Sequence, residues 1–256
     1  MELIFLYTLI GLIGGITAGM LGLGGGIIFV PGLMLIHKYY YYFIGYELQA
    51  AVFTSLICII FAGSTSAYLH LKNQLINIQI VKKFTLYVIF GCFFGIYILE
   101  HASTELLENI YSIILIILAL LLISDARVIK DNIKIVQKLG RLYFFSNGVI
   151  SSLMGIGGGT LSVPYLTFMV NNIKQSIATA SAIGLVIALS SIVFMYILNP
   201  SIYDNKVNHL SLFFIIPSSI VGSVTGVYLL KVLNPTKVKI LFSTLLIFVA
   251  AYLLLT

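Results

Sequence analysis

The chain has 256 residues, of which 60% are hydrophobic and only 9% are charged, and its mean hydropathy is +1.11. A soluble domain is about 45–50% apolar and about 25% charged, so this composition excludes an ordinary soluble protein and predicts one that lies in a lipid bilayer. The formal net charge of +6 does not indicate a nucleic-acid partner, because the basic residues lie between the apolar segments and leave no basic face.

The first predicted element is an uncharged stretch at residues 3–36, which is too long for one membrane-spanning helix. Its 34 residues would form a helix of about 51 Å, whereas the hydrocarbon core of a bilayer is about 30 Å thick. We expect the helix to break at Gly22-Leu23-Gly24-Gly25-Gly26. A helix is predicted to resume near Ile27, and the sequence leaves open whether this second piece crosses the membrane or re-enters it.

Further apolar spans come after this stretch along the chain. The first half is predicted to continue with spans at 48–69, 84–99 and 106–123. The polar segment at 124–141 carries five Lys and Arg residues, and it fits an amphipathic helix on the membrane surface and a solvated tether equally well. The second half is predicted to hold a second glycine break within 142–170 and spans at 177–198, 210–230 and 240–255.

Motifs recur between the two halves at nearly constant spacing. The first glycine segment and Pro31 recur, at one common offset in the numbering, as Gly155-Ile156-Gly157-Gly158-Gly159 and Pro164. The glycine pair Gly91 and Gly95 recurs at almost the same offset as Gly222 and Gly226, and such pairs within helices are expected to serve helix packing. We therefore predict an all-α polytopic membrane protein of about eight transmembrane helices, in two four-span repeats with glycine-broken first helices. The repeats are predicted at 1–123 and 142–256, with the basic linker at 124–141.

The distribution of Lys and Arg among the predicted loops indicates the orientation. With the N-terminus inside, nine of these residues face the cytoplasm and five face the other side. We therefore expect a multi-pass protein of the cell membrane, with both termini and the central linker in the cytoplasm. An even number of spans in each repeat makes the two halves parallel.

Each glycine break is a candidate site for an anion. A helix that restarts presents unpaired N–H groups and the positive end of its dipole, and glycine lets a ligand approach the backbone closely. The alternative is that the glycines only let helices pack closely. Hydroxyls early in the following span are secondary candidates, although such groups often bond to their own backbone. The candidate substrate-binding residues are Gly22, Gly24, Gly25, Gly26, Pro31, Thr54, Ser55, Gly155, Gly157, Gly158, Gly159, Pro164, Thr179 and Ser181.

Other kinds of site are not indicated. The interiors of the predicted spans contain no Asp, Glu, Lys or Arg, which excludes a relay of buried carboxylates. The four histidines have no metal-ligand spacing and no nucleophile–base pair can be named, so the sequence predicts no metal site, catalytic residue or cofactor. Cys58 and Cys92 are expected to be free thiols in the core.

The doubled Gly-x-Gly-Gly-Gly-x4-Pro motif resembles that of the sulfite exporter TauE/SafE family of membrane transporters. The small polar residues that begin the next span, the Gly-x3-Gly of each third span and the basic central loop also fit. The resemblance covers nearly the whole chain. It implies an all-helical permease for small anions, often sulfur-containing ones such as sulfite or sulfonates. The family's motif falls on Gly22, Gly24 to Gly26 and Pro31, and on Gly155, Gly157 to Gly159 and Pro164. Thr160 and Ser162 replace Ile27 and Phe29, so the two half-sites are not chemically equivalent.

We therefore expect a secondary transporter rather than an enzyme. It would move a small anion, such as sulfite, thiosulfate or a sulfonate, by rocking two repeats around a site at the membrane midplane. A passive anion channel with the same donors and a non-transporting membrane module that assembles a partner through its glycine faces stay open as alternatives. The expected partners are the anion and the lipid bilayer, and the sequence leaves open whether the chain forms a homo-oligomer.

Overall fold

The computed structural model describes residues 1–22, 24–40, 47–123, 133–170, 172–200 and 208–232, together with the single residues 244, 247 and 251. The regular structure of this described part is α-helical. Its helices are α1 (Glu2–Leu21), α2 (Gly26–Tyr40), α3 (Glu47–Lys72), α4 (Ile78–His101), α5 (Thr104–Ile123), α6 (Ile133–Met154), α7 (Gly159–Val170), α8 (Ile173–Leu198) and α9 (His209–Val232).

Five of these helices, α1, α3, α4, α8 and α9, are long and apolar enough to cross a membrane. The prediction of an all-helical membrane protein is therefore confirmed for the described residues. The number of eight spans stays a prediction, because the last predicted span at 240–255 lies outside the described residues except for three single positions. The division into two repeats and a linker also stays a prediction, and α6 begins at Ile133, inside the segment expected to be the linker.

The two glycine breaks lie where the sequence predicted them, and each one reverses the chain. In the first, the ring of Phe29 lies against Gly14, and the side chain of Ile10 lies against Gly32. The hydroxyl of Tyr40, the last residue of α2, donates to the Glu2 carboxylate at 3.3 Å. Helix α2 therefore returns along α1 to the side from which α1 starts. The first break therefore forms a helical hairpin in which α2 runs antiparallel to α1.

Helices α6 and α7 form a second hairpin of the same kind. The rings of Tyr143 and Tyr165 stack with their centroids 4.3 Å apart. Nearer the break, the Asn147 side chain donates to the Ser162 hydroxyl at 2.7 Å. Residues that lie progressively earlier in α6 thus meet residues progressively later in α7, which is the pattern of two antiparallel helices.

Each hairpin packs its first helix beside a long helix from the other half of the chain. Gly11, Gly15 and Gly19 of α1 lie in turn against Ile215, Ser219 and Ser223 of α9, so these two helices run parallel. Helices α6 and α4 pair in the same way, and an added Cβ on Gly148 would lie 3.1 Å from the Cα of Gly91. The expected packing role of glycines spaced by four is confirmed, since no larger residue permits backbones this close.

One end of the helix bundle gathers the N-terminus and two helix junctions, and we call it the acidic end. The Asn208 side chain, at the start of α9, donates to the Tyr7 hydroxyl at 3.2 Å. The Glu100 carboxyl, near the end of α4, lies beside the side chain of Asn199 just after α8. The start of α1, the end of α4 and the junction of α8 with α9 therefore lie together.

The opposite end of the bundle contains the α3–α4 junction and the start of α8, and we call it the basic end. The backbone N–H of Asn77, between α3 and α4, donates to the Thr179 hydroxyl near the start of α8 at 3.0 Å. An added Cβ on Gly140, near the start of α6, would lie 3.0 Å from the ring of Phe84 near the start of α4. Helices α4, α6 and α8 therefore all start at this end.

The placement of α6 bears on the predicted topology. Its start lies at the basic end, whereas the N-terminus lies at the acidic end. These contacts do not support the expected parallel halves, because α2 returns along α1 to the end from which α1 starts. The sides of the membrane on which the N-terminus and the linker lie stay predictions.

Candidate functional site

The tips of the two hairpins meet in the middle of the bundle. An added Cβ on Gly24 would lie 2.9 Å from the carbonyl oxygen of Ile156 and 3.3 Å from the Cα of Gly157. One on Gly26 would overlap the carbonyl oxygen of Gly155. The side chain of Ile59, halfway along α3, contacts both Gly24 and Gly157. Two segments from opposite halves of the sequence are thus in direct backbone contact at the midpoint of a spanning helix.

The two turns have the same backbone conformation. The φ angles are 67°, 73° and 80° at Gly22, Gly24 and Gly25, and 63°, 73° and 71° at Gly155, Gly157 and Gly158. All six fall in the left-handed region, which costs other L-residues about 1–2 kcal/mol each. The repeated glycines are therefore required by the shape of the turn, and the close approach at Gly26 accounts for the fourth glycine of the first turn.

Both helices that leave the turns begin with N–H groups that have no acceptor within the helix. In α2 the first backbone bonds run from the N–H groups of Ile28 and Phe29 to the Gly25 carbonyl, at 2.9 and 3.1 Å. In α7 the first bond runs from the Ser162 N–H to the Gly158 carbonyl at 2.9 Å. The N–H groups that precede these bonds have no intrahelical acceptor, and they carry the positive end of each helix dipole. Both helix starts are buried, so these donors lie out of water.

The second turn is lined by a polar cluster of Asn147, Ser151 and Ser162. The Ser151 hydroxyl donates to the Asn147 side-chain oxygen at 2.7 Å. The Asn147 amide in turn donates to the Ser162 hydroxyl at 2.7 Å and to the Gly158 carbonyl at 3.4 Å. All three side chains are buried. Beside them Thr160 is 3% exposed, and its hydroxyl has no hydrogen-bond partner among the described residues.

The first turn is apolar at the corresponding positions. The offset that relates Gly22 to Gly155 places Gly14, Ala18, Ile27 and Phe29 where the second turn has Asn147, Ser151, Thr160 and Ser162. The ring of Phe29 fills the space between Gly14 and Gly25, and an added Cβ on Gly25 would lie 2.9 Å from it. The first turn therefore offers backbone donors but no side-chain donor at any of these positions.

The predicted hydroxyl contacts are distributed unevenly around the turns. The Ser55 hydroxyl donates to the Gly155 carbonyl at 2.8 Å, so α3 is tied directly to the second turn. Thr54, Thr179 and Ser181 instead donate to carbonyls of their own helices at 2.8 Å. Of the four hydroxyls expected near the site, only that of Ser55 bonds to a glycine turn in the described residues.

The two prolines lie within the helices that leave the turns. Pro31 is buried in α2 and Pro164 is half-buried in α7, each five residues after the first residue of its helix. Neither ends its helix, because α2 continues to Tyr40 and α7 to Val170.

Two site residues, Asn147 and Ser151, are absent from the residues expected on sequence grounds. Both are polar residues in a membrane segment, a combination that marks functional positions. Comparison with Gly14 and Ala18 at the same offset would have singled them out, as it did Thr160 and Ser162.

A family model described as Sulfite exporter TauE/SafE matches residues 7–253. Relatives include a probable membrane transporter protein of Haemophilus influenzae, 28% identical over 191 residues that make up 73% of this chain and 71% of the relative. The probable membrane transporter protein YunE of Bacillus subtilis is 30% identical over 181 residues, 63% of this chain and 66% of the relative. A probable membrane transporter protein of Methanocaldococcus jannaschii is 24% identical over 263 residues, 98% of this chain and 95% of the relative. No solved structure matches the chain.

Proposed function

The chain belongs to the sulfite exporter TauE/SafE family of membrane transporters, and on this basis we propose that it is a secondary transporter for a small sulfur-containing anion. Sulfite, thiosulfate and a sulfonate are the candidate substrates. The observation that carries the proposal is the meeting of two buried helix starts at Gly24 and Gly157. Backbone N–H groups at helix starts bind anions without a buried cation.

The proposed site consists of the two glycine turns and the residues around them. The backbone donors are the N–H groups at the two helix starts. They lie beside Gly22, Gly24, Gly25 and Gly26 in the first half and beside Gly155, Gly157, Gly158 and Gly159 in the second. Pro31 and Pro164 would set the course of the helices that carry these donors. The secondary contacts to the anion are the hydroxyls of Ser55, Thr54, Thr179 and Ser181. Each of them would have to give up its present hydrogen bond to bind the anion, which for Ser55 is the bond to the Gly155 carbonyl.

We propose further that the two halves are inverted repeats that enter the membrane from opposite sides. The helix pairs support this proposal, because α1 packs on α9 as α6 packs on α4, and α2 packs on α3 as α7 packs on α8. Asn77 and Asn208 occupy corresponding positions in the two halves, and both accept a hydrogen bond from the backbone at the start of the following helix. Inverted repeats around a midplane site are a common architecture of secondary transporters.

The charges at the two ends of the bundle support an orientation. All carboxylate residues of the described part lie toward the acidic end, while eight of its nine Lys and Arg residues lie toward the basic end. Because cytoplasmic loops are enriched in Lys and Arg, we assign the basic end to the cytoplasm and the N-terminus to the outside. The linker keeps its predicted cytoplasmic side, and the predicted side of the N-terminus is reversed. The carboxylates are Glu2, Glu47, Glu100, Glu105 and Glu108, the eight cations are Lys72, Lys82, Lys83, Lys134, Lys138, Arg141, Lys174 and Lys231, and the ninth is Lys38.

The contact between the turns favours a transporter over a passive channel. Gly24 and Gly157 leave no space for an ion between them, and Ile59 covers both. An anion crosses this contact only if the two hairpins move relative to each other. Such movement of one half against the other is the basis of alternating access.

Flux into vesicles tests the proposed function. The purified full-length chain is reconstituted, and uptake of radiolabelled sulfite, thiosulfate and methanesulfonate is measured with and without an imposed proton or sodium gradient. We expect saturable, gradient-driven uptake of at least one anion. Gly158→Val should abolish it, whereas Gly63→Ala is the matched control, because an added Cβ there meets only Ile59 at an ordinary 3.7 Å. Absence of uptake of all three anions by the wild-type chain would refute the proposal.

A further inference from the structure

The polar half of the site has a donor that the proposed function does not yet use. Building on that function, we infer that a single small oxyanion binds at the start of α7, and that the Thr160 hydroxyl is its side-chain donor. The first turn then completes this one site from the opposite side and does not form a second binding site.

Thr160 differs from the other threonines of the described helices in how its hydroxyl is used. Each of the others that lies well inside a helix donates to a carbonyl three or four residues earlier. The residue four positions before Thr160 is Ile156, and the carbonyl oxygen of Ile156 is directed against Gly24 of the other turn. The usual acceptor thus lies against the other turn, and the buried hydroxyl of Thr160 has no partner among the described residues.

The position of Thr160 directs this hydroxyl toward the start of the helix. Thr160 is the second residue of α7, and side chains in an α-helix tilt toward the helix N-terminus. The hydroxyl therefore lies with the N–H groups of Gly159, Thr160 and Leu161, which precede the first backbone bond of α7. Every group in this set is a donor. A ligand that only accepts hydrogen bonds, such as a small deprotonated oxyanion, satisfies all of them.

The polar cluster makes the same place tolerant of negative charge. The Gly158 carbonyl, which would repel an anion, already accepts the Ser162 N–H at 2.9 Å and faces the Asn147 amide at 3.4 Å. Asn147 is itself held by Ser151. The cluster therefore keeps this carbonyl turned away from the donors of α7, and leaves Thr160 as the buried hydroxyl beside the turn that still has a bond to make.

The corresponding position in the first turn supplies no such donor. Ile27 is there in place of Thr160, and the Phe29 ring occupies the space that the cluster holds in the second turn. An anion in the first half would lose its water without gaining a side-chain partner, which costs several kcal/mol. One bound anion per chain is therefore expected, even though the backbone has two similar turns.

Calorimetry on the purified full-length chain with sulfite and thiosulfate tests the inference. We expect one binding site per chain, and a dissociation constant about 10- to 100-fold larger in Thr160→Val, because a bond from a neutral donor to a charged group is worth about 1.5–3 kcal/mol. Thr160→Ser should restore most of the affinity. Thr167→Val in the same helix is the matched control, since the Thr167 hydroxyl bonds to the Val163 carbonyl. The dissociation constant of this variant for the anion should stay within about twofold of the wild-type value.

The outcomes separate this inference from the proposed function. The melting temperature without anion should be no lower for Thr160→Val than for wild type, because the two side chains have the same shape and the buried hydroxyl has no described partner to lose. Equal affinities in both proteins, or two bound anions per chain, would overturn the inference and leave the transport proposal intact. No binding of sulfite or thiosulfate to a wild-type chain that also shows no flux would overturn both.

Discussion

The two glycine turns have one backbone shape and two different surroundings. Their φ angles agree within about ten degrees at each of the three paired positions. The ring of Phe29 fills the space beside the first turn. The corresponding space beside the second turn contains the Asn147 side chain, which is hydrogen-bonded to Ser162. Both halves thus keep what the fold needs, a tight reversal at the centre of the bundle. The side chains around one of the two turns are then free to serve a ligand.

The largest difference between the turns is expected at the paired positions Phe29 and Ser162. Phe29→Ala removes a fully buried ring that covers Gly14 and Gly25, and it should lower the free energy of unfolding by about 3–5 kcal/mol. Ser162→Ala removes the acceptor of the Asn147 amide and should cost about 1–3 kcal/mol. Thermal unfolding of both variants in detergent measures the difference. Equal losses of unfolding free energy in the two variants would contradict the different packing described around the two turns.

A smaller difference is expected between Gly25→Ala and Gly158→Ala. Both positions have positive φ, so both variants lose about 1–2 kcal/mol in the backbone. An added Cβ on Gly25 also overlaps the Gly14 carbonyl, which cannot move aside, and crowding of this kind costs about 1–3 kcal/mol more. One on Gly158 meets the end of the Ile187 side chain, which can rotate away. Gly25→Ala should therefore melt at the lower temperature, and the reverse order would contradict the packing described for the first turn.

The smallest difference is expected between Ser55→Ala and Ser181→Ala. Ser55 bonds across to the Gly155 carbonyl, so its loss should leave that carbonyl unsatisfied and cost about 1–3 kcal/mol. Ser181 bonds within its own helix, and its loss should cost less than about 1 kcal/mol. Ser190→Ala, another hydroxyl bonded within α8, is the matched control. Equal costs for Ser55 and Ser181, measured by thermal unfolding, would show that the contact with Gly155 contributes nothing.

Much of the fold could be predicted from the sequence because its signals are local. A stretch of 34 uncharged residues has to break, and glycine is where it breaks. Glycines spaced by four have to lie on a helix surface, and Gly15 and Gly91 do pack against neighbouring backbones. Direction after a break is not local. Hydropathy is the same for a helix that continues across the membrane and one that returns, and only contacts such as Tyr40 with Glu2 distinguish them.

The candidate site was predictable in its backbone and less so in its side chains. Repeated glycines revealed the turns, since few residues tolerate their conformation. The sequence also indicated that Thr160 and Ser162 make the second half more polar. The expectation that such hydroxyls often bond to their own backbone holds for Thr54, Thr179 and Ser181. The sequence could not single out Ser55 as the exception, because hydroxyl orientation depends on which carbonyl is nearest. Asn147 acquires its role only when α7 folds back on α6.

Entry of the two hairpins from opposite sides of the membrane can be measured by labelling single cysteines with a membrane-impermeant maleimide. The wild-type cysteines are buried, so the unmodified chain is the blank. Asn73→Cys, Lys174→Cys and His209→Cys place a thiol at exposed positions. We predict that Asn73→Cys and Lys174→Cys label only after the membrane is opened, and that His209→Cys labels on intact cells. Labelling of Asn73→Cys and Lys174→Cys from opposite sides would contradict the inverted arrangement.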